Sequence, residues 1–224
     1  MIDWIDNIPL QHLLGSDSMV LDHFAFMLTK VWAWIPMYVT LLILIIRNHA
    51  NMTQILVCFI CGVCGVLLAT GLTTFVTKPL IPRPRPCNTD TVKHLVHFAY
   101  DLWNKDNSFF SSHSATSMSL AVFFTLIVRH RLMTASMFAH TLVTAWSRLY
   151  LGQHFMTDII VGLAWGALVG YLCSRIYHHY NYREVKLLNN THTAQLTATG
   201  FAISDVNNVA LAVLFAYLLA LLTI

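Results

Sequence analysis

Charge is what this sequence has least of. Asp, Glu, Lys and Arg make up only 10% of its 224 residues, while 57% are hydrophobic. A soluble domain carries about 25% charged residues, so the composition excludes an ordinary soluble fold and reads as a polytopic membrane protein. Positive charge is scarce too. The formal net charge is +3, with no dense basic run, which argues against nucleic acid as a partner. Cysteine is sparse and mostly placed in apolar runs: Cys58, Cys61, Cys64 and Cys173 lie there, and Cys87 alone falls in a connection. No disulfide framework is expected. Cys58, Cys61 and Cys64 recur at helical spacing and read as packing residues, not metal ligands. Internal repeats and low-complexity tracts are absent. Met1–Gly15 contains Asp3 and Asp6 and lacks a basic start and an apolar core, so a cleaved leader is not expected. Targeting is expected to rest on the first spanning helix.

What is there is hydrocarbon in long runs. A spanning helix needs about 20 apolar residues. Six segments qualify, at about Phe24–Ile46, Thr53–Thr77, Ser114–Val128, Leu132–Leu149, Phe155–Tyr177 and Asn208–Ile224. The expected fold is all-α, a polytopic membrane helix bundle with about six transmembrane helices. Residues 1–23 read as an N-terminal interfacial segment, 24–177 as the transmembrane core, and 178–224 as a polar loop with a C-terminal spanning helix. Thr91–Leu102, inside the long connection Pro79–Phe110, reads as a short amphipathic helix. Trp4, Trp32, Trp34 and Trp103 are placed to form an interfacial belt. Gly62, Gly65, Gly162, Gly166 and Gly170 are spaced for close helix approach.

Three polar clusters interrupt the hydrocarbon: Lys78 with Arg85-Pro86, then Ser111-Ser112-His113, then Ser147-Arg148 with His154 and Asp158. Each lies at the end of an apolar run. If the six segments alternate in direction, all three clusters meet on one membrane face. The opposite face carries Arg47, Arg129, Arg131, Arg175, Arg183 and Lys186. The cluster face carries Lys78, Arg83, Arg85, Lys93, Lys105 and Arg148. Cations fixed by chemistry are poor topology markers, and setting aside Lys78, Arg83, Arg85 and Arg148 leaves only Lys93 and Lys105. The cytoplasm is then expected opposite the clusters, with the site on the extracytoplasmic face.

The inventory suits phosphate chemistry. A neutral imidazole at His154 can attack phosphorus, and its ordinary pKa near 6.5 leaves it free at neutral pH. Asp158, four residues on, shares its helical face and can orient the ring. The plain alternative is a first-turn Asp that favours the helix dipole. Arg85 and Arg148 offer planar forks for phosphate oxygens, and Lys78 a mobile point charge. Singly, each reads as well as a side chain reaching lipid headgroups; together on one face they read as a phosphate grip. Ser111 or Ser112 can cap the third helix, whose first amides can bind an anion. His113 then sits where it can protonate a leaving oxygen.

The order and spacing of these clusters resemble the type 2 phosphatidic acid phosphatase family, the membrane relatives of vanadium haloperoxidases. Its pattern is KxxxxxxRP, PSGH and SRxxxxxHxxxD. Lys78 to Arg85-Pro86 matches the first part. Ser147-Arg148, His154 and Asp158 match the third. Phe110-Ser111-Ser112-His113 keeps the Ser and His of the second but replaces its Pro and Gly. The resemblance spans roughly Phe24–Tyr177. It implies a phosphohydrolase without a metal or other cofactor. His154 would form a phosphohistidine, Asp158 would orient it and His113 would act as general acid. Lys78, Arg85, Ser111, Arg148 and the Ser112 amide would bind the phosphate.

The reading is therefore an integral membrane phosphatase that removes a terminal phosphate from a lipid phosphate or diphosphate held in the bilayer. Family members act on phosphatidic acid, phosphatidylglycerol phosphate, lipid A phosphates and undecaprenyl diphosphate. The compact size favours undecaprenyl diphosphate or a phosphoglycerolipid. A lipid phosphotransferase using the same site, and a non-catalytic lipid-binding or transport protein of the same fold, are the alternatives. The expected partners are the lipid substrate and the bilayer.

Overall fold

The computed structural model describes residues 6, 13–16, 18–89, 106–181 and 195–223. The expected Thr91–Leu102 helix, and most of the Met1–Gly15 segment, lie outside the described residues, as do Trp4 and Trp103. Among the described residues the architecture is an all-α membrane bundle of seven main helices.

The first departure from expectation comes early. Phe24–Ile46 is not one span. Helix α1 (Met19–Met27) ends, a 3-10 turn follows at Val31–Trp34, and α2 (Ile35–Arg47) begins. The two halves meet at 74°. Pro36 lies in the first turn of α2. Proline has no N–H to give a carbonyl one turn back, so a helix can start there but cannot pass through unbroken. The Trp34 indole donates to the Leu28 carbonyl at 2.9 Å and satisfies the broken end. Trp34 is thereby buried, stacked edge-on with His140 and Tyr217, and is not part of an interfacial belt.

Helix α3 (Met52–Gly71) starts at an Asn51 cap and continues through a π-helical turn (Leu72–Thr77) to Leu80, 29 residues in all. The hydroxyls of Thr73 and Thr77 bond back to Ala69 and Thr73, one turn earlier. Such back-bonding accompanies local widening of the helix. The run Pro82-Arg83-Pro84-Arg85-Pro86 then forces the chain out of helix. Helices α4 (Ser112–Val128), α5 (Arg131–Tyr150), α6 (Met156–Asn181) and α7 (Ile203–Leu222) complete the bundle. The last begins earlier than expected because Asp205 is not left in solvent. It accepts from Asn48 Nδ2 at 2.8 Å and pairs with Arg47 at 3.0 Å.

Helices α3, α6 and α7 are each long and apolar enough to cross a membrane, and the bent α1–α2 pair makes a fourth crossing if counted as one. Large apolar side chains such as Leu67, Phe75, Leu142, Leu172 and Leu218 cover the outside of the bundle. In water such a surface would aggregate; in lipid it is the solvated face. Helix α4 has only 17 residues and sits inside, packed against α3, α5 and α6. Its closest neighbour is α6. A Cβ placed on Gly166 or Gly170 would overlap the backbone of Ala115 or Ser119. Only a glycine lets the two backbones meet there, as the glycine spacing anticipated.

Candidate active site

The end of α3, the start of α4, the end of α5 and the start of α6 share one end of the bundle. Backbone hydrogen bonds knit them. Ser111 N–H donates to the Asp158 carbonyl at 3.1 Å, Cys87 N–H to Gly152 at 2.9 Å, and Ser108 N–H to Arg83 at 2.8 Å. Gly152, with φ +60°, makes the tight turn from α5 into α6. All three clusters converge here, as the count of crossings anticipated.

His154 is buried, and its Nδ1 lies 2.8 Å from the carbonyl oxygen of Ser108. A carbonyl can only accept, so Nδ1 carries the proton and Nε2 keeps its lone pair. Asp158 is fully buried, and its Oδ2 lies 3.8 Å from His154 Nδ1. That distance is an ion-pair contact and too long for a hydrogen bond. The ring is thus held by Ser108, with Asp158 adding charge beside it. Asp158 Oδ2 accepts the Phe155 N–H at 3.0 Å, and Oδ1 accepts from Arg83 at 2.7 Å. Burial pushes the His154 imidazole down to about 4, against the upward pull of Asp158.

Arg85 is buried and anchored on three sides. It donates to the Gln153 side-chain oxygen at 2.6 Å, to the Gln153 carbonyl at 3.5 Å and to the Asp106 carbonyl at 3.0 Å. Burial lowers its pKa, and the nearby charges of Asp106 and Asp158 oppose the shift. Arg148 is buried as well, with only weak contacts of 3.4 Å to the Ser147 hydroxyl among the described residues. A buried guanidinium with no carboxylate partner there is an anion site in waiting. Lys78 is half-buried at the end of α3 and lies near Arg85 and Asp106.

Ser111 caps α4, its hydroxyl accepting from Ser114 N–H at 3.3 Å. The amides of Ser112 and His113 then have no acceptor among the described residues. His113 keeps an exposed surface at the helix start, yet desolvation within the site, and after it the charges of Arg148, His154, Lys78 and Arg85, push its pKa down to about 3, so that it takes up its proton only beside a bound anion. Two imidazoles, three cations and free helix-start amides therefore surround one small region. Four participants carry no sequence pattern that singles them out: Ser108, Gln153, Thr157 and Asp6. Arg83 was visible within the Pro-Arg-Pro-Arg-Pro run, but only as a charge. Among the described residues, no three His, Cys, Asp or Glu side chains gather as a metal cage.

The profile of the PAP2 superfamily matches residues 59–182. The chain belongs to that family. The match covers the helices that carry all three clusters, and it is the family that their spacing resembles. Two relatives are similar over most of their length. One, from Porphyromonas gingivalis, is 29% identical over 165 residues, covering 74% of this chain and 70% of the relative. The other, from Bacteroides thetaiotaomicron, is 27% identical over 183 residues, covering 80% of each. Both bear the name lipid A 4'-phosphatase. No solved structure matches the chain.

Proposed function

We propose that this membrane protein is a lipid phosphatase working through a phosphohistidine at His154. The observation that carries the reading is the hydrogen bond from His154 Nδ1 to the Ser108 carbonyl. It leaves an unprotonated Nε2 beside the basic cluster of Arg85, Arg148 and Lys78. In the first step Nε2 forms a bond to phosphorus while the bond to the lipid oxygen breaks. His113, as imidazolium, gives that oxygen its proton. In the second step neutral His113 takes a proton from water, the hydroxide oxygen bonds to phosphorus, and the P–N bond breaks. Inorganic phosphate leaves and both imidazoles are restored. The arginines and Lys78 stabilise the charge on the equatorial oxygens, with help from the Ser111 hydroxyl and the amides of Ser112 and His113. The negative charge of the bound phosphate is what lets three cations and an imidazolium share the site. Ser112, where the family pattern has Gly, keeps its amide available and adds a side chain at the edge of the cradle.

The names of the two relatives support a lipid A phosphate as the first substrate to test, ahead of undecaprenyl diphosphate and phosphatidic acid. The distribution of Lys and Arg supports a site on the outer face of the membrane. The deciding experiment is phosphate release by detergent-solubilised protein from these three lipids, in EDTA, for wild type and His154→Ala. Release that persists in EDTA and disappears in the variant is expected. Strict dependence on added magnesium, or an active His154→Ala, overturns the mechanism.

A further inference from the structure

Arg83 sits at a crossing of three chain segments. Its guanidinium donates to Asp158 Oδ1 at 2.7 Å and to the Thr157 hydroxyl at 2.8 Å, and it pairs with Asp6. The same guanidinium lies over the Phe155 ring, 3.9 Å from its centroid. The main-chain carbonyl of Arg83 accepts the N–H of Ser108, the residue whose own carbonyl holds His154. One residue thus fixes both groups that touch the His154 ring on its Nδ1 side. Asp6 does more than pair with Arg83. Its Oδ1 accepts the Thr157 N–H at 3.0 Å and the Thr157 hydroxyl at 2.9 Å. Thr157 N–H is one of the first-turn amides of α6, which have no partner within the helix. A carboxylate from far away in the chain therefore satisfies the start of the helix that carries Asp158.

From this geometry we infer that Arg83, shared between Asp158 and Asp6, is a positioning residue for the catalytic pair, and that Asp6 joins the N-terminal segment to the reaction through it. The inference rests on the phosphohistidine reading of His154. The physical reason is charge balance. A single guanidinium facing two carboxylates cannot fully neutralise either. Asp158 keeps negative charge to stabilise His154 as its ring becomes cationic on bonding to phosphorus. Without Asp6, Arg83 turns wholly to Asp158 and that stabilisation weakens. Without Arg83, Asp158 loses a fixed orientation. Neither change touches the phosphate grip of Arg85, Arg148 and Lys78. The loss falls on kcat, with KM held.

The test uses the full-length protein in detergent, with lipid A in mixed micelles as the probe and inorganic phosphate as the readout. Arg83→Gln is expected to lower kcat about tenfold, in the range found for residues that orient an active-site ligand, with KM unchanged. Arg83→Lys recovers part of the loss. Asp6→Asn gives a smaller fall in kcat, again with KM held. The double variant is no worse than Arg83→Gln alone to within about twofold, because both act through one contact. If Arg83→Gln does not fold, Asp6→Asn decides. His154→Ala separates the two levels of the argument. If it is inactive while the Arg83 and Asp6 variants keep wild-type kcat, the inference fails and the phosphohistidine stands. If it is active, both fail. A rise in KM with unchanged kcat, or fully additive losses, also overturns the inference.

Discussion

The carbonyl oxygen of Ser108 accepts the Nδ1–H of His154 across 46 residues of sequence, at 2.8 Å. This one contact sets the tautomer of the imidazole and joins the loop before α4 to the turn before α6. The i, i+4 spacing and the family resemblance both point to Asp158 in that role. Asp158 instead stands 3.8 Å away, tied to Arg83 and to the Phe155 amide. The hydrogen bond to Nδ1 and the negative charge beside it therefore come from two different residues.

Burial makes the site tolerant of acid. With the His154 pKa pushed down to about 4, its neutral form persists well below the ordinary value near 6.5. The acid limb of kcat/KM, after correction for the ionisation of the substrate phosphate, is expected near pH 4. A limb near pH 6.5 would mean that His154 is more hydrated than the structure implies. The sign for stability follows from the same shift. The unfolded chain protonates this imidazole first as pH falls, so stability drops between about pH 6.5 and 4 and is indifferent to His154 above that window.

Gln153 is predicted to matter through Arg85. Its side-chain oxygen receives the shortest of the Arg85 bonds, 2.6 Å. Gln153→Ala removes that anchor and is expected to lower kcat/KM about tenfold, as loss of an orienting partner does elsewhere. Gln153→Glu keeps an acceptor and is expected to retain more activity. Steady-state phosphate release for the two variants checks the order.

Packing at the α4–α6 seam is expected to be unforgiving. Gly166→Val puts carbon into the backbone of Ala115, and overpacking of this kind costs about 1–3 kcal/mol or more. Separation of α4 and α6 also pulls Ser111 away from Asp158, so activity should fall along with thermal stability. Gly71→Ala is the control. Nothing lies within 4 Å of a Cβ there, and its effect is expected to stay within about 0.5 kcal/mol. Melting in detergent separates the two.

The far end of the bundle offers a change in stability without a change in chemistry. Asp205 is 3% exposed, while its ion-pair partner Arg47 is 61% exposed. The pair with Arg47 therefore contributes little, and the bond from Asn48 at 2.8 Å matters more. Asp205→Ala leaves the Asn48 amide without that acceptor and is expected to cost about 1–3 kcal/mol. The rate of phosphate release at a temperature below melting should not move.

Much of this protein was legible in order along the chain. Hydropathy alone specifies a membrane bundle, because lipid demands long apolar helices whatever their packing. The parity of crossings anticipated Lys78, Arg85, His113, Arg148, His154 and Asp158 at one end, because α4, α5 and α6 alternate through short turns and α3 ends on the side where α4 begins. The glycines of α6 announced a close helix contact, because they recur every four residues. Pro36 marks the break before α2 locally; tertiary structure alone decided the burial of Trp34, the Ser108–His154 bond and the sharing of Arg83 between Asp6 and Asp158. The reason is physical. Helical periodicity and hydropathy are properties of neighbours in sequence, and they leave a pattern there. A hydrogen bond between a loop carbonyl and a distant imidazole, or a carboxylate placed on the first turn of a far helix, depends on where folded segments meet in space. No local pattern records it.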